Sequence, residues 1–247
     1  MEKRAQVTTF VIVGIVIIAL AVLFLYARSL GFGISSEGFL ASKKASIESR
    51  INECARTEAA KVLEVMGRQG GTLTPLKFKT FNNARINYLC YNIPGSDQCV
   101  NRILTLKTME DELSRYLETS IRNCIRIDEF KTSGLSLQPG NLEIITTIGQ
   151  DDVLVIVDYP ITLARDNARL TLSRFTSKVN IPLGRLYLAA IEAIDSEASV
   201  GDFDPLPYML VHNLVRIEKH RPFPDKVYVM NIRTVPYIFQ FAIEGEP

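Results

Sequence analysis

The pattern of hydrophobic and polar positions begins with an apolar run that carries no charged residue from Ala5 to Ala27. As a helix, this run reaches across the ~30 Å hydrocarbon layer of a membrane. A cleaved secretory signal has a shorter apolar core that is followed by small residues. Here the run ends in residues that suit an interface anchor, Phe24, Tyr26 and Arg28. We therefore predict a transmembrane helix over residues 7–27.

Basic residues are distributed unequally around this helix. Lys3 and Arg4 precede it, whereas only Arg28 follows it closely. The positive-inside rule therefore favours a cytoplasmic N-terminus, a single pass through the cell membrane and an extracytoplasmic position for the remaining mass. Residues 1–6 form the cytoplasmic N-terminus or a leader. Residues 28–35 are rich in Gly and Ser, and we expect them to act as a hinge.

Helical spacing of apolar residues continues over residues 36–68. The recurring apolar positions are Ile47, Ile51, Cys54, Ala55, Val62, Leu63 and Met66. Ser36 suits an N-cap, and Gly67 followed by Gly70 and Gly71 supplies a stop. We predict a long amphipathic helix, which we name the stalk helix, that packs on a domain formed by residues 69–247.

The remaining pattern predicts an α+β domain, an antiparallel sheet with packed helices. Leu73–Val100 has the alternation of extended structure, and a helix begins near Thr108 with three acids in its first turn. From Gly140 the alternation predicts a three-strand meander. Two further helices are predicted at Gly184–Ala198 and Pro205–Lys219, followed by a closing pair of strands.

The net charge adds little to this picture. The chain has 28 Lys and Arg residues against 27 Asp and Glu residues. This balance gives no electrostatic reason to expect nucleic acid as a partner.

The four cysteines all follow the apolar run, and an even number outside the membrane indicates disulfides. Cys90 and Cys99 flank a turn at 94–97 that would bring their sulfurs together across a hairpin. Cys54 and Cys124 fall on the apolar faces of two predicted helices. Four unrelated reduced thiols are the alternative, and zinc is disfavoured because no C-x-x-C spacing occurs.

Few residues carry recognisable chemistry. The two histidines, His212 and His220, are not part of an H-E-x-x-H arrangement, and no nucleophile elbow, P-loop or dinucleotide motif follows a strand. Asp202 and Asp204 could bind a cation, although two acids beside a proline are more typical of a turn. We predict no catalytic residue, no cofactor and no metal.

A local basic cluster lies near the end of the predicted fourth helix and consists of Arg216, Lys219, Arg221 and Lys226. Cations at a helix C-terminus stabilise the helix. The alternative is a polar contact with anionic lipid headgroups or a surface polymer.

The segment Val235–Ile243 is uncharged and apolar on both faces. This pattern is typical of a buried central strand. The alternative is an edge strand that a neighbouring subunit covers by strand addition. In that case the aromatic residues on alternate positions are assembly contacts, and residues of the membrane helix are candidates for the same role: Tyr237, Phe239 and Phe241, with Phe10 and Gly14.

The sequence KRAQVTTF, from Lys3 to Phe10, resembles the class III signal of archaeal type IV pilin-like proteins. In that family a prepilin peptidase cuts before the glutamine, which implies cleavage between Ala5 and Gln6. Pilin-like subunits usually carry Glu at the fifth mature position, and this chain has Phe10 there. The chain therefore lacks the acid that answers a neighbouring subunit's amine in a filament core.

The stretch from Gln6 to Ala190 resembles a family of uncharacterised membrane-anchored archaeal surface proteins. The resemblance rests on INECARTEAAKVLEVMGRQGG, IRNCI, VLVIVDYPITL and VNIPLGRLYLAA. It implies an α+β ectodomain and a link between Cys54 and Cys124, and it implies no activity.

Together these features favour a non-enzymatic, membrane-anchored cell-surface protein that builds or supports an envelope assembly, such as a pilin-like filament or a surface array. The alternative is a membrane-tethered binding or sensor module for a ligand, a surface polymer or a host-cell protein. The expected partners are membrane lipid and either further copies of the chain or other envelope proteins.

Overall fold

A computed structural model describes residues 3–29, 35–92 and 99–245, and in the first range it describes side chains from Ile12 to Tyr26. The helices are α1 (Lys3–Ser29), α2 (Ser36–Arg68), α3 (Leu106–Ile125), α4 (Leu183–Val200) and α5 (Pro205–Val211), with a 3-10 turn at Ile127–Phe130. The strands are β1 (Phe78–Phe81), β2 (Ala84–Asn92), β3 (Cys99–Asn101), β4 (Ser136–Pro139), β5 (Glu143–Ile148), β6 (Val153–Arg165), β7 (Ala168–Val179), β8 (Val215–His220), β9 (Lys226–Ile232) and β10 (Val235–Ile243). The predicted α+β class is confirmed.

Helix α1 carries an exposed apolar surface. From Ile12 to Tyr26 every residue is exposed except Gly14, which is partly covered. Among the residues with described side chains, no helix is both long enough and apolar enough to cross a membrane. The transmembrane helix predicted for residues 7–27 is therefore not supported by this part of the chain and stays a prediction.

Helix α2 has the bounds predicted for the stalk helix. Its N-cap is Ser35, one residue earlier than expected, whose Oγ accepts a hydrogen bond from the Gly38 amide at 3.1 Å. It ends before Gly70 and Gly71, whose φ angles of +76° and +87° lie in the left-handed region that favours glycine. Its buried face is long: Leu40, Ile47, Ile51, Cys54, Ala55, Ala59, Leu63, Met66 and Gly67.

Two sheets share this helix as a packing partner. In the larger sheet the strand order is β1-β2-β10-β9-β8, with β3 also paired to β2, and only the β2–β10 pair is parallel. In the smaller sheet, β7 pairs with the whole length of β6 on one side. On the other side of β6, β5 pairs with its first half and β4 with its second half. Helix α2 contacts β6 and β7 of one sheet and β10 of the other. It therefore lies in the core and is not a free stalk.

Both expected disulfides are present. Cys54 and Cys124 join α2 to α3 with a Cα–Cα distance of 5.7 Å, and Cys90 and Cys99 join β2 to β3 at 5.3 Å. The turn at 94–97 lies outside the described residues. The two disulfide pairings are confirmed.

The start of α3 differs from the prediction. The helix begins at Leu106, because the Thr105 hydroxyl caps it by accepting from the Thr108 amide at 3.2 Å. The three acids expected in its first turn, Glu110, Asp111 and Glu112, therefore lie one turn later. The stabilisation by the helix dipole that we expected for them is wrong, since that effect falls off within the first turn.

The predicted fourth helix is also wrong over most of its length. Helix α5 ends at Val211, and residues 215–220 form the edge strand β8. Val215 and Ile217 are buried while Arg216 is exposed, which is the alternation of a strand. Pairing with β9 stabilises residues 215–220 as a strand. The sequence of this segment alone does not reveal that partner.

We expect the Cys54–Cys124 disulfide to contribute more stability than the Cys90–Cys99 disulfide. The sequence separations are 70 and 9 residues, and the chain-entropy model gives about 4 and about 2.5 kcal/mol for such loops. Replacing both members of each pair by Ser and measuring the free energy of unfolding by denaturant titration tests this order. A larger loss for the Cys90 and Cys99 pair would contradict it.

Candidate functional site

A buried carboxylate, Glu197, lies where α4 meets strands β8 and β9. Only 1% of its side chain is exposed. Lys226 Nζ donates to Oε2 at 2.6 Å, the Tyr228 hydroxyl donates to Oε1, and Lys219 Nζ lies 3.4 Å from Oε1. A buried charge costs several kcal/mol unless it is paired and hydrogen-bonded. Here two ammonium groups and a phenol supply those partners.

Asp202 extends this arrangement towards solvent. Its carboxylate accepts from Lys219 and, at 3.1 Å, from Lys226, and it lies 3.5 Å from the Arg221 guanidinium. Lys226 also donates to the Gly201 carbonyl at 2.6 Å. We call Glu197, Asp202, Lys219, Lys226 and Tyr228 the Glu197 network.

The ionisation of two members follows from these contacts. Burial, and then the hydrogen bond to Glu197, raises the pKa of Tyr228, so its hydroxyl stays a donor. Burial acts to raise the pKa of Asp202, but hydrogen bonds from Lys219 and Lys226 outweigh it and lower that pKa to about 2. Both groups therefore keep the protonation states that their hydrogen bonds need at neutral pH.

These contacts give the Glu197 network a structural role. Both oxygens of Glu197 are engaged, and the phenol that could act as a nucleophile is held in its protonated form. Within the described ranges, no group of three or more His, Cys, Asp and Glu side chains could hold a metal ion. The network fastens α4 to the β8–β9 hairpin.

A second carboxylate cluster lies at the other side of the larger sheet. Asp225 accepts from Lys79 Nζ at 2.6 Å, from the Tyr88 hydroxyl at 2.8 Å and from the Gly245 amide at 3.1 Å. Burial opposes ionisation of Asp225, but these three hydrogen bonds and the charge of Lys79 lower its pKa. The cluster joins strands β1 and β2 to the residue that precedes β9 and to the end of the described chain.

An open groove of about 530 Å³ runs between α4 and α5. The Tyr208 and His212 rings stack along it with centroids 4.3 Å apart, and Leu188 adds an apolar side. Arg185, which also lines the groove, pairs with Asp151 at 2.6 Å. The groove therefore has a mixed lining whose main cation is already neutralised.

The predicted basic cluster does not lie at the end of a helix. Lys219 and Lys226 are committed to the Glu197 network, and Arg216 on β8 pairs with Glu218 at 2.8 Å. The expected stabilisation of a helix C-terminus by these residues is therefore wrong, because the helix ends before them. The polar contact with a membrane surface or a polymer stays a prediction for the exposed Arg216 and Arg221.

The acids of the GDFDP segment have separate roles. Asp202 belongs to the Glu197 network, whereas Asp204 caps α5 by accepting from the Leu206 amide at 3.0 Å. The turn interpretation fits both residues.

The aromatic residues of β10 face the interior. Tyr237, Phe239 and Phe241 are buried, because β10 lies between β2 and β9 in the larger sheet. The edge-strand alternative is therefore wrong, and these three side chains are core residues. The Tyr237 hydroxyl donates to the Leu63 carbonyl of α2 at 3.0 Å, which joins the sheet to that helix.

The N-terminal candidates all lie in helix α1. The side chains of Ala5, Gln6 and Phe10 lie outside the described part, so their roles stay predictions. Gly14 has open space where a Cβ would stand.

Sequence reasoning missed Glu197, and it assigned Glu112 to a helix dipole instead of a buried hydrogen-bonding role; both acids lie on buried helix faces. Glu112 accepts from the Thr72 hydroxyl and the Leu73 amide, both at 3.1 Å, and so holds the loop that follows α2. A signal was present for both. Glu197 continues the apolar stripe of Ala193 and Ile194, and an acid on such a stripe indicates a buried partner.

Comparison with known protein families, with curated proteins and with solved structures finds no match to this chain.

Replacing Glu197 with Gln should destabilise the domain by about 3 kcal/mol, because it leaves two poorly exposed ammonium groups without their main counter-charge. The measurement is the free energy of unfolding at neutral pH. Glu192→Gln, an exposed position on the same helix, is the matched control and should change it by less than about 0.5 kcal/mol. Equal effects of the two substitutions would show that the network adds no stability.

Asp202 should make the domain sensitive to acid. Its pKa falls from 3.8 to about 2 on folding, so its stabilisation is complete above the higher value and is lost as the pH falls through the lower one. Asp202→Asn removes this ionisation. As the pH falls from about 4 to about 2, the melting temperature of the variant should therefore fall less than that of the unchanged protein. Solvent screening limits the size of the difference, since 54% of the Asp202 side chain is exposed. Parallel melting curves for the two proteins would contradict the assignment.

Proposed function

We propose that this chain is a single-pass membrane protein in which α1 lies in the cell membrane and the domain from Ser35 onward stands outside it. In that position the domain builds or supports an envelope assembly and has a structural, non-catalytic role. The observation that carries the proposal is the exposed apolar surface of α1.

Helix α1 leaves twelve large apolar side chains exposed between Ile12 and Tyr26. Exposing apolar surface to water costs about 25 cal/mol per Å², and large exposed patches mark contacts with membranes or other proteins. The sequence continues without charge beyond these residues on both sides, from Ala5 to Ala27. A helix of 27 residues is about 40 Å long, which exceeds the ~30 Å hydrocarbon layer.

The disulfides support an extracytoplasmic position for the domain. All four cysteines lie after α1, and all four are paired. Disulfides persist in oxidising compartments and are rare in the cytosol. The basic residues Lys3 and Arg4 before α1 support the same orientation.

A structural role is supported by how the domain uses its buried charges. Glu197, Asp225 and Glu112 each hold separate elements together through several hydrogen bonds. The resemblance of Lys3–Phe10 to a pilin-like signal supports membership of an envelope assembly.

Alkaline carbonate extraction of membranes that contain the full chain tests the anchor. The full chain should stay in the membrane pellet, whereas residues 35–247 should be soluble and folded, with both disulfides formed under oxidising conditions. Ile17→Lys with Leu20→Lys places two charges in α1 and should move the full chain to the supernatant. Leu76→Lys with Phe223→Lys adds the same charge at exposed apolar positions of the domain, and this control should stay in the pellet.

Release of the unchanged full chain by carbonate would overturn the anchor. Assembly is tested separately by electron microscopy of a detergent-free envelope fraction. An ordered filament or array supports the proposed role, and dispersed single copies would contradict it in favour of a tethered receptor.

A further inference from the structure

Helix α5 has an apolar outer face as well as a buried inner face. Leu206, Leu210 and Val211 are 64%, 83% and 77% exposed, and Leu214, three residues beyond the helix, is 45% exposed. On the inner face, Tyr208 is buried against Phe203, with ring centroids 6.3 Å apart. A surface helix normally turns polar residues to solvent. We call the four exposed residues Leu206, Leu210, Val211 and Leu214 the α5 stripe.

Helix α5 lies far from the point at which the chain enters the domain. The chain enters the domain beside the β6–β7 turn, where the Ser36 hydroxyl donates to Asp166 at 2.7 Å. Helix α4 begins at the opposite end of β6, where the Gly184 amide donates to the Gly149 carbonyl at 3.2 Å. The groove between α4 and α5 includes Gln150 of that same end. The 13 residues of β6 separate the two ends by roughly 40 Å.

The connection between α1 and α2 is too short to span this distance. From Ser29 to Ser35 there are six residue steps, which reach about 22 Å at most. This step rests on the proposed membrane anchor. A domain that stands with β6 along the membrane normal therefore holds the α5 stripe clear of the membrane, where a protein surface can cover it.

Opposite charges at the two ends of α5 favour a second copy of this chain as the partner. Asp204 is exposed at the N-terminal end. At the other end lies Arg233, whose amide donates to the Leu214 carbonyl at 3.0 Å. Arg233 is exposed, and it forms no ion pair with a carboxylate of the described residues. Two such helices packed antiparallel place Asp204 of each copy near Arg233 of the other, which is the self-complementarity that a twofold interface requires.

We propose that the α5 stripe is a homotypic interface through which two copies of this chain pair by antiparallel contact of their α5 helices. Four side chains from each copy cover less than the ~800 Å² per partner of a standard interface. The pairing is therefore weak in dilute solution and is favoured when both copies are concentrated in one membrane.

Cross-linking of the full chain in its membrane tests this pairing. Leu210 lies in the middle of the stripe, so in a Leu210→Cys variant the two introduced thiols come close to the twofold axis. Mild oxidation should give a band of twice the chain mass under non-reducing conditions. Leu76→Cys is the matched control, because Leu76 is 98% exposed and lies outside the stripe, and it should cross-link at least about tenfold less.

A second pair of variants separates loss of the interface from loss of the fold. Leu210→Lys with Val211→Lys should lower the dimer fraction in detergent by at least about tenfold, since each substitution occurs twice in a twofold dimer. The melting temperature should not change, because both side chains point to solvent. Leu76→Lys should change neither quantity.

Equal cross-linking of Leu210→Cys and Leu76→Cys would overturn the proposal. A cross-linked band of any other mass would overturn the homotypic pairing in favour of a different protein. If carbonate releases the chain while Leu210→Cys still forms the dimer, the anchor fails and the interface stands.

Discussion

The packing of α2 against both sheets is the constraint on which the rest of the domain depends. The helix is buried from Leu40 to Met66 and contacts strands of both sheets. Near its end, a Cβ on Gly67 would lie 2.4 Å from the Ile238 carbonyl, so the helix and β10 approach at a distance that only glycine permits. The two sheets do not share a strand, and α2 is a helix that contacts both of them and so holds them in one core.

The other elements are fastened to this core by bonds at its margins. The Cys54–Cys124 disulfide fixes α3 to α2, and Glu112 of α3 then holds the loop that leads from α2 into β1. The Glu197 network fixes α4 to the β8–β9 hairpin, and Asp225 closes the opposite side of the larger sheet. Each bond joins residues that are distant in sequence, which limits local opening of the edges.

The sequence predicted those elements whose signals are local. The end of α2 is fixed by Gly70 and Gly71, and the meander of β5 to β7 follows from alternation along each strand. The local pattern of residues 215–220 predicts a helix, and pairing with β9, further along the chain, makes this segment a strand instead. Alternation predicts that β10 is a strand, but it does not predict that this strand pairs with β2. The Glu197 network is invisible in the sequence for the same reason, since its lysines come from β8 and β9.

The distribution of charge along the sheet edges restricts how copies of this domain can join. Ion pairs lie along both edges: Arg174 and Lys178 of β7 pair with Asp158 and Asp152, and Arg216 of β8 pairs with Glu218. Charged side chains on edge strands oppose pairing with another sheet, and like charges directly opposite each other are destabilising. Strand addition at β7 or β8 would place a second strand beside these charged side chains. Helical surfaces are therefore the better route to assembly, and α1 and α5 both expose apolar side chains.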